Sequence, residues 1–552
     1  MSDNDVPKKT AKKIPTAANT LAVGVVGLDL QADKVVPRKQ VVSWAFWDWS
    51  NQPYNTVILT FIFTALYLLT DAFLPPELAA LKDGDPAKDA GLAVLSSGLG
   101  YAVGIAGLAI AWIAPVLGQR SDSSGGRKAW LGAATIAVAL SMFALYFVEA
   151  DPKYFILGIA LVAAGSVFSE IAGVNYNAML VQVSTPKTVG KVSGLGWGLG
   201  YIGGIVALVL VVVAYSADWF GLPTEEGLPF RLVAVGCALW SILFALPLFL
   251  NVPSAPALLR RDKVSFFRSY VVLAKDLDGI FTKSRNTFWF LVASAVYRDG
   301  LAGVFTFGAA IAAVTFGFGF LEVVAFGIAA NLIAGLSTII SGRFDDRFGP
   351  RTVILTALVG LVVAGTAVFF LHDAGKTVFW VGGLLLCVFV GPAQSASRSL
   401  LTRVTPAGRE GEIFGLYATT GRAASFISPT LWAVFISIGG AQYWGVLGIV
   451  LVIAVGLVLM LFVRVGRKGA GAADRISSDA PTTASYNKLS IAAFLFGYFL
   501  PLAPVAVVTG HIARAQIKRS GEQGAFLANA GLVLGYGVIV IAGLLVAFNF
   551  LI

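Results

Sequence analysis

Long apolar runs recur through the whole chain, and they restrict its fold more than any other feature. A run longer than about 18 residues can cross roughly 30 Å of hydrocarbon as a helix. Only 13% of the residues are charged, whereas soluble domains carry about 25%. We therefore predict an all-α polytopic membrane protein with twelve spans and two further transmembrane helices in its tail. The predicted spans, numbered in chain order, are residues 41–69, 92–117, 129–148, 154–182, 190–215, 230–250, 287–314, 322–342, 352–371, 377–403, 412–437 and 444–464, with the tail helices at 489–510 and 525–550.

Basic residues mark one side of the predicted bundle. The N-terminal segment 1–40 and the segment 251–286 are rich in Lys and Arg, and both fall on the same side of the predicted bundle. The positive-inside rule assigns this side to the cytoplasm. We therefore predict a multi-pass protein of a bacterial cytoplasmic membrane with a cytoplasmic N-terminus. The net charge of +10 then faces anionic headgroups of the lipid bilayer and does not indicate a nucleic-acid partner.

Residue types that build metal and nucleotide sites are scarce. Cys237 and Cys387 fall in separate predicted spans, while His372 and His511 fall in separate predicted loops. Neither a disulfide framework nor a metal site is expected from such spacing. The sequence also shows no Gly-rich loop ending in Lys-Ser or Lys-Thr that would cradle nucleotide phosphates. We predict no cofactor, no metal and no enzymatic activity.

A short motif is repeated after spans 2 and 8. Glycine, aspartate and arginine stand at the same spacing in "GQRSDSSGGRK" and "GRFDDRFGPR". A second echo follows spans 4 and 10, where "STPKTVGKVSGLG" corresponds to "VTPAGREGEIFGLY". Such internal symmetry indicates duplication, and we predict two six-helix halves, 41–250 and 287–464, joined by 251–286. The repeated positions are Gly118, Asp122, Arg127, Gly342, Asp346 and Arg351.

These repeated loops resemble the signature of the major facilitator superfamily, and other stretches narrow the resemblance. "WAFWDWSNQPYNTVI", "GLGWGLGYIGG", "YRDG", "QSASRSLL" and "EIFGLYATTGRAASFISP" resemble its vacuole-effluxer-like branch. That branch contains fungal autophagy-related amino-acid exporters and many bacterial members. The resemblance covers residues 41–464. It implies a secondary transporter with alternating access, in which spans 1, 4, 7 and 10 line a central cavity.

The resemblance also assigns a cytoplasmic gate to the repeated loops. It implies that Asp122 bonds the start of span 11 and holds the two halves together. A negative group near a helix N-terminus is favoured by the helix dipole. Asp346 with Arg351 is expected to act in the same way in the second half. The alternative is that both loops are only tight turns.

Six ionisable side chains lie well inside the first twelve spans, three acidic and three basic. An unpaired charge at the bilayer centre costs at least roughly 2.5 kcal/mol, so these groups are expected to face partners or a cavity. Helical spacing places polar neighbours on the same faces. We predict that the ionisable side chains and these polar neighbours line a cavity for substrate or protons. Its residues are Asp48, Asn51, Asn55, Glu170, Asn177, Arg298, Asp299, Gln394, Arg398 and Arg422.

The charges have structural and functional interpretations that the sequence leaves open. Asp48 is expected to pair with Arg298 or Arg422, either permanently or in a pair that breaks during transport. Glu170 is either a proton carrier or a carboxyl that fixes span 4 to a neighbour. Arg298 and Arg398 either grip a substrate carboxylate with their planar forks or pair with the two acids.

Small and aromatic residues indicate how the helices pack. Gly196, Gly200 and Gly204 repeat every four residues in span 5, which lets helices approach closely. We predict that they form a sliding surface between the halves. Pro53 removes a backbone hydrogen bond and is expected to kink span 1. The tryptophans of span 1 are interpreted as anchors in the membrane belt; they are Trp44, Trp47 and Trp49.

The tail is predicted to be a separate unit. Residues 465–488 are rich in Ala, Ser and Thr and read as a linker. Residues 489–552 resemble a two-helix membrane domain of unknown function and are where an unknown protein partner would dock. Two full crossings would place the basic loop 514–519 outside, against the charge rule, whereas a re-entrant turn at Pro501 and Pro504 would keep it inside. We predict two full crossings because the apolar stretch is long enough.

The paired acids and bases, together with the resemblance, favour a small polar or zwitterionic solute such as an amino acid. We predict a proton-coupled secondary transporter, and the resemblance favours export over uptake. Two alternatives stay open. One is an exporter of lipophilic drugs or lipids with the same fold, which needs a wide apolar cavity. The other is a membrane scaffold or sensor that transports nothing.

Overall fold

Helices occupy every predicted span in the computed structural model, which describes residues 35–124, 126–184, 189–254, 266–404, 410–463, 486–498 and 502–551. In these ranges, eleven helices are long and apolar enough to cross a membrane. They correspond to spans 2 to 12. Span 1 is divided into shorter helical pieces, so the count of twelve crossings stays a prediction. Spans 2 to 12 contain the helices Pro86–Ser124, Arg127–Ala144, Phe155–Ala178, Val189–Ser216, Leu228–Asn251, Arg285–Ala310, Phe320–Phe348, Pro350–Phe370, Lys376–Val404, Glu410–Ala423 with Ile427–Gly439, and Trp444–Leu461.

The two halves pack their helices in the same way. In the first half, span 1 packs on spans 5 and 6, span 4 packs on spans 2 and 3, and span 3 packs on span 6. The second half repeats each of these pairings six spans later. The repeated loops of the sequence therefore correspond to a repeated helix arrangement, and the predicted facilitator fold is confirmed.

Contacts between the halves concentrate on one side of the bundle. We call the side of segment 251–286 the linker side and the opposite side the far side. Near the far side, the rings of Tyr215 and Phe320 stack with centroids 4.1 Å apart, and the hydroxyls of Tyr101 and Ser437 are 3.1 Å apart. The largest buried hydrophobic cluster includes residues of both halves. A second cluster, near the linker side, contains residues of the first half alone.

Spans 1 and 7, which occupy equivalent places in the two halves, both change helix type. At the predicted kink, a π-helix begins directly after Pro53, which has no N–H to donate. The indole N–H of Trp240 donates to the carbonyl of Trp49, four residues before Pro53, at 3.1 Å. Within the π-helix, the hydroxyl of Thr60 donates to the carbonyl of Asn55 at 2.8 Å. The α-helical part of span 1 is Arg38–Pro53, and the π-helical segments are Tyr54–Phe61 and Thr64–Leu68 in span 1 and Ile311–Thr315 in span 7.

The second signature loop is helical over most of its length. The helix of span 8 runs through it to Phe348, and Gly349 turns the chain with a φ of +84°, a conformation that favours glycine. Arg351 then donates to the carbonyl of Leu461 at 3.3 Å. Arg127 of the first loop is buried. The structure does not describe the surroundings of the other four gate positions, so the gate stays a prediction. These positions are Gly118, Asp122, Gly342 and Asp346.

The tail does not contain the predicted single helix over 489–510. Two helices replace it, Lys488–Tyr498 and Ala503–Ser520, and both pack against a third, Ala525–Leu551. Prolines rarely continue a helix but suit its first turn, which Pro504 occupies. The first of these helices is about 16 Å long at 1.5 Å per residue, roughly half the thickness of the hydrocarbon.

The tail hairpin returns to the linker side, where it contacts the helix Phe266–Lys283 of the inter-half segment. Phe281 of this helix stacks on Phe526 with ring centroids 4.2 Å apart. At the same end of the hairpin, the side-chain amide of Asn487 donates to Gln516 at 3.0 Å. The entry and the exit of the hairpin are therefore neighbours. The re-entrant alternative accounts for this arrangement, and the preference for two full crossings is wrong.

We expect the basic loop of the tail to be accessible from the linker side. Ser520→Cys should react with a membrane-impermeant maleimide in the same preparations as Ser254→Cys, an exposed linker-side position. Lys82→Cys is exposed in the far-side loop between spans 1 and 2 and should react in intact cells. Ser520→Cys and Ser254→Cys should react only after the cells are lysed. The native Cys237 and Cys387 are buried and should stay unlabelled. Labelling of Ser520→Cys together with Lys82→Cys would restore the two full crossings.

Candidate functional site

Asp48 lies in an aromatic pocket between spans 1, 4 and 5. Its carboxylate accepts a hydrogen bond from the Tyr176 hydroxyl at 3.2 Å. The Tyr176 ring stacks on Trp44 with centroids 4.3 Å apart and packs on Trp47 at 4.4 Å. Both tryptophans are 2% exposed, and Trp49 stacks on a tryptophan of span 6. These rings build the interior of the first half, so their interpretation as membrane-belt anchors is wrong.

The glycine stripe of span 5 faces span 1 of the same half, and not the other half as predicted. A Cβ atom on Gly196 would stand 2.7 Å from the Tyr176 hydroxyl and 3.1 Å from the Asp48 carboxylate. A Cβ atom on Gly204 would be 2.8 Å from the hydroxyl of a threonine of span 1, whereas one on Gly200 would be 3.6 Å from its nearest neighbouring atom. The stripe therefore lets span 5 close the Asp48 pocket.

Glu170 and Arg422 form an ion pair between the two halves. The guanidinium of Arg422 lies 3.1 Å from the Glu170 carboxylate and also donates to the Glu170 carbonyl at 2.8 Å. The Glu170 side chain is 48% exposed, so the pair borders open space. The predicted pairing of Asp48 with Arg298 or Arg422 is wrong, because Arg422 bonds Glu170 and Arg298 bonds Tyr417.

Asp299 is a structural residue and does not line the cavity as predicted. It is 6% exposed, and its carboxylate accepts a hydrogen bond from the backbone N–H of Ser428 at 2.5 Å. Ser428 lies in the first turn of the helix Ile427–Gly439, the second piece of span 11. The Asp299 side chain therefore bonds the start of a helix inside the membrane.

Arg298 and Arg398 lie near each other on the second half. The guanidinium of Arg298 donates to the carbonyl of Tyr417 at 3.3 Å and lies 4.2 Å from the centre of its ring. Arg398 is exposed and interacts electrostatically with Arg298, Tyr417 and Tyr201 of the first half. Tyr201 interacts in turn with Asp48. Tyr201 therefore links the surroundings of Asp48 on the first half to those of the two arginines on the second.

The remaining predicted cavity residues have separate surroundings. Asn51 and Ser169 are joined by hydrogen bonds of 3.1 and 3.3 Å, which fasten span 1 to span 4. Asn55 contributes its backbone carbonyl to the π-helix described above. Asn177 is exposed at the linker-side end of span 4, and Gln394 is half-buried in span 10.

Three tyrosines complete the site, and no pattern in the sequence marks them. Aromatic residues are common along apolar helices, so a single hydroxyl leaves no periodic signal. Their importance depends on contacts between spans that are distant in sequence. These residues are Tyr176, Tyr201 and Tyr417.

The site has an acidic wall and a basic wall. The first half supplies Asp48 and Glu170, and the second half supplies Arg298, Arg398 and Arg422. Two neighbouring guanidinium groups repel each other, and an anion between them relieves that repulsion. A planar guanidinium fork fits a carboxylate in particular. No group of three or more metal-ligating side chains occurs in the part of the chain that the structure describes.

Family models match two parts of the chain. One, described as vacuole effluxer Atg22 like, matches residues 181–473, which is more than half of the chain. The other, described as a domain of unknown function (DUF4190), matches residues 488–545. The second match covers the tail helices that pack against the inter-half segment.

Individual proteins give a consistent picture. The chain is 26% identical to the uncharacterized MFS-type transporter YxiO of Bacillus subtilis, over 77% of this chain and 95% of that protein. It is 24% identical to autophagy-related protein 22-1 of Aspergillus fumigatus over 51% of this chain, and it spans about half the length of that relative.

Solved structures share the fold. The nucleoside transporter NupG aligns with a TM-score of 0.52 at 14% identity, over 76% of this chain and 98% of that one. The inward-open xylose transporter XylE from E. coli aligns with a TM-score of 0.52 at 13% identity, over 78% and 96%. At such identities the likeness shows the fold alone.

We expect Gly196→Ala and Gly200→Ala to have opposite effects on stability. The new methyl group at Gly196 must displace Tyr176 or Asp48, and such overpacking costs about 1–3 kcal/mol. At Gly200 it meets only ordinary contacts, and alanine gains up to about 1 kcal/mol of helix propensity. Thermal unfolding in detergent should therefore give a lower Tm for Gly196→Ala and an unchanged or higher one for Gly200→Ala. Equal Tm values would contradict the tight pocket.

Proposed function

The chain belongs to the Atg22-like vacuole effluxer family of the major facilitator superfamily, and we propose that this secondary transporter carries a small zwitterionic solute such as an amino acid. Its relatives are transporters and not enzymes. The observation that carries the substrate proposal is the division of charge, with acids on the first half and arginines on the second. A zwitterion satisfies both walls at once.

The basic wall suits a carboxylate. Arg298 and Arg398 are close enough to interact, and two planar forks can hold one carboxylate with several charge-assisted hydrogen bonds. Arg298 is held in place by the ring and the carbonyl of Tyr417. An arginine that is already positioned loses less side-chain entropy when it binds a ligand. The carboxylate would therefore bind on the second half.

The acidic wall suits an ammonium group and a proton. Glu170 is already paired with the guanidinium of Arg422. The Asp48 carboxylate instead accepts a hydrogen bond from the hydroxyl of Tyr176. A hydroxyl can donate to a carboxylate or accept from a carboxylic acid, so Tyr176 can serve both protonation states of Asp48. We therefore assign proton coupling to Asp48 and an inter-half contact to Glu170.

Other observations support the direction of transport and the membrane in which the protein lies. The family description names an effluxer, which supports export. The basic inter-half segment supports a cytoplasmic linker side in a plasma membrane of bacterial type, by the positive-inside rule. Contacts between the halves on the far side suit a state that receives its substrate from the cytoplasm.

A lipophile exporter is the second candidate, because the structure contains an apolar cavity lined by both halves. Phe61 of the first half lines this cavity together with Phe326 and Phe379 of the second half. Its volume of about 40 Å³ is far below the 300–1,000 Å³ of typical sites for drug-sized ligands, so it would have to widen to hold one. Its lining suits an apolar solute and offers nothing to a zwitterion. Transport assays therefore need both classes of compound.

Arg398→Lys should weaken the binding of carboxylate-bearing substrates. Lysine keeps the charge but loses the fork, and a lost charge-assisted hydrogen bond costs about 1.5–3 kcal/mol, roughly a 10- to 100-fold increase in KM. The assay is counterflow of a labelled amino-acid mixture in proteoliposomes. The matched control is Arg519→Lys, exposed in the tail and outside the site. Unchanged KM in Arg398→Lys, or equal competition by amines that lack the carboxylate, would remove Arg398 from the substrate site.

Asp48→Asn should separate exchange from proton-driven transport. With a pH gradient across the proteoliposome membrane, the wild type should accumulate the labelled amino acids, whereas Asp48→Asn should lose accumulation and keep counterflow, because asparagine cannot carry the proton. Glu170→Gln should still accumulate substrate. Accumulation by Asp48→Asn would reject the assignment of the proton. Absence of amino-acid flux in the wild type, with efflux of lipophilic compounds, would favour the second candidate.

The scaffold alternative is tested by removing the tail. A transporter whose site lies between the two halves should keep its counterflow activity after deletion of residues 465–552. A protein whose role depends on docking through the tail would lose that role and would show no flux in either form.

A further inference from the structure

Span 11 is broken where it meets the first half. Its first helix ends at Ala423 and its second begins at Ile427. The turn between them sits directly on span 2, and a Cβ atom on Gly107 would be 2.6 Å from the carbonyl of Ser425. The Ser425 hydroxyl also donates to the Gly107 carbonyl at 3.4 Å. The break is therefore a contact point between the halves.

The same break carries the ion pair between the halves. Arg422 lies in the last turn of the first helix, and its guanidinium holds both the carboxylate and the carbonyl of Glu170. The Ser425 hydroxyl donates back to the Arg422 carbonyl at 2.8 Å. The position of Arg422 therefore depends on the shape of the turn.

The backbone donors at the start of the second helix are almost all accounted for within the turn. Ile427 donates to the Ala424 carbonyl and Thr430 donates to the Phe426 carbonyl, while Pro429 has no N–H. The N–H of Ser428 is left over, and its partner is the carboxylate of Asp299 in span 7. An unbonded amide at this depth would cost several kcal/mol.

The side chains at the break fit the ends of its two helices. Arg422, a cation, stands at the C-terminal end of the first helix, where the helix dipole favours it by up to about 1–2 kcal/mol. Asp299 stands at the N-terminal end of the second helix and accepts the hydrogen bond of the Ser428 amide. Without either side chain, a continuous or differently bent span 11 becomes more competitive.

We propose that Asp299 is a positioning residue that holds the break in span 11 and thereby presents Arg422 to Glu170. It touches no substrate, because it is buried against the backbone of span 11. Its effect passes through the turn to the ion pair and so to the contact between the halves. Only the consequence for transport rests on the proposed function, and the test needs no substrate.

The test measures the distance between the halves with spin labels on Lys82→Cys and Asp373→Cys, which lie in far-side loops of the first and second halves and are exposed. In the parent protein we expect one main distance, because the far side is packed. Asp299→Ala should add a longer-distance population. Asp299→Asn should restore the parent distribution, because its amide oxygen still accepts from the Ser428 amide.

Glu170→Gln provides the matched comparison. It should add the same longer-distance population, and the double variant Asp299→Ala, Glu170→Gln should show no further shift, because both changes remove one ion pair. An unchanged distance in folded Asp299→Ala, or additive shifts in the double variant, would overturn the proposal. Asp299→Ser replaces Asp299→Ala if the latter does not fold, because its shorter side chain cannot reach the amide. Failure of amino-acid transport would leave these distances unaffected, so the two proposals fail separately.

Discussion

A backbone amide or carbonyl inside hydrocarbon has no water to bond, and this constraint acts at the interruptions in spans 1 and 11. In span 1, Pro53 has no N–H to donate to the carbonyl of Trp49, four residues before it, and the indole N–H of Trp240 bonds that carbonyl instead. In span 11, Asp299 bonds the amide that the turn cannot satisfy. At both places a side chain replaces the missing backbone partner.

Duplication gave the two halves one fold, but the chemistry of their facing surfaces differs. The same helix pairs pack in each half, yet the acids that face the site belong to the first half and the arginines to the second. Opposite charge on the two surfaces attracts the halves to each other. For the proposed zwitterionic substrate it would also set the orientation, with the carboxylate toward Arg298 and Arg398.

The tail shows how two rules of membrane topology compete. Its first apolar stretch is long enough to cross, yet a crossing would carry a basic loop to the outer side. The two short helices Lys488–Tyr498 and Ala503–Ser520 resolve the conflict, because the second one returns the chain to the linker side. There the hairpin packs on the helix that connects the two halves, so the tail contacts the one covalent link between the moving parts of the proposed transporter.

The sequence by itself determined the helical class, the positions of spans 2 to 12 and the duplication, because apolar length and a repeated loop motif are local signals. It also located the six charged residues within the first twelve spans. Only the tertiary structure decided their partners: Glu170 with Arg422, Asp48 with Tyr176, and Asp299 with a backbone amide. Helical spacing tells which residues share a face, but it cannot tell which face of a distant helix lies opposite. The glycines of span 5 were assigned to the wrong neighbour for the same reason.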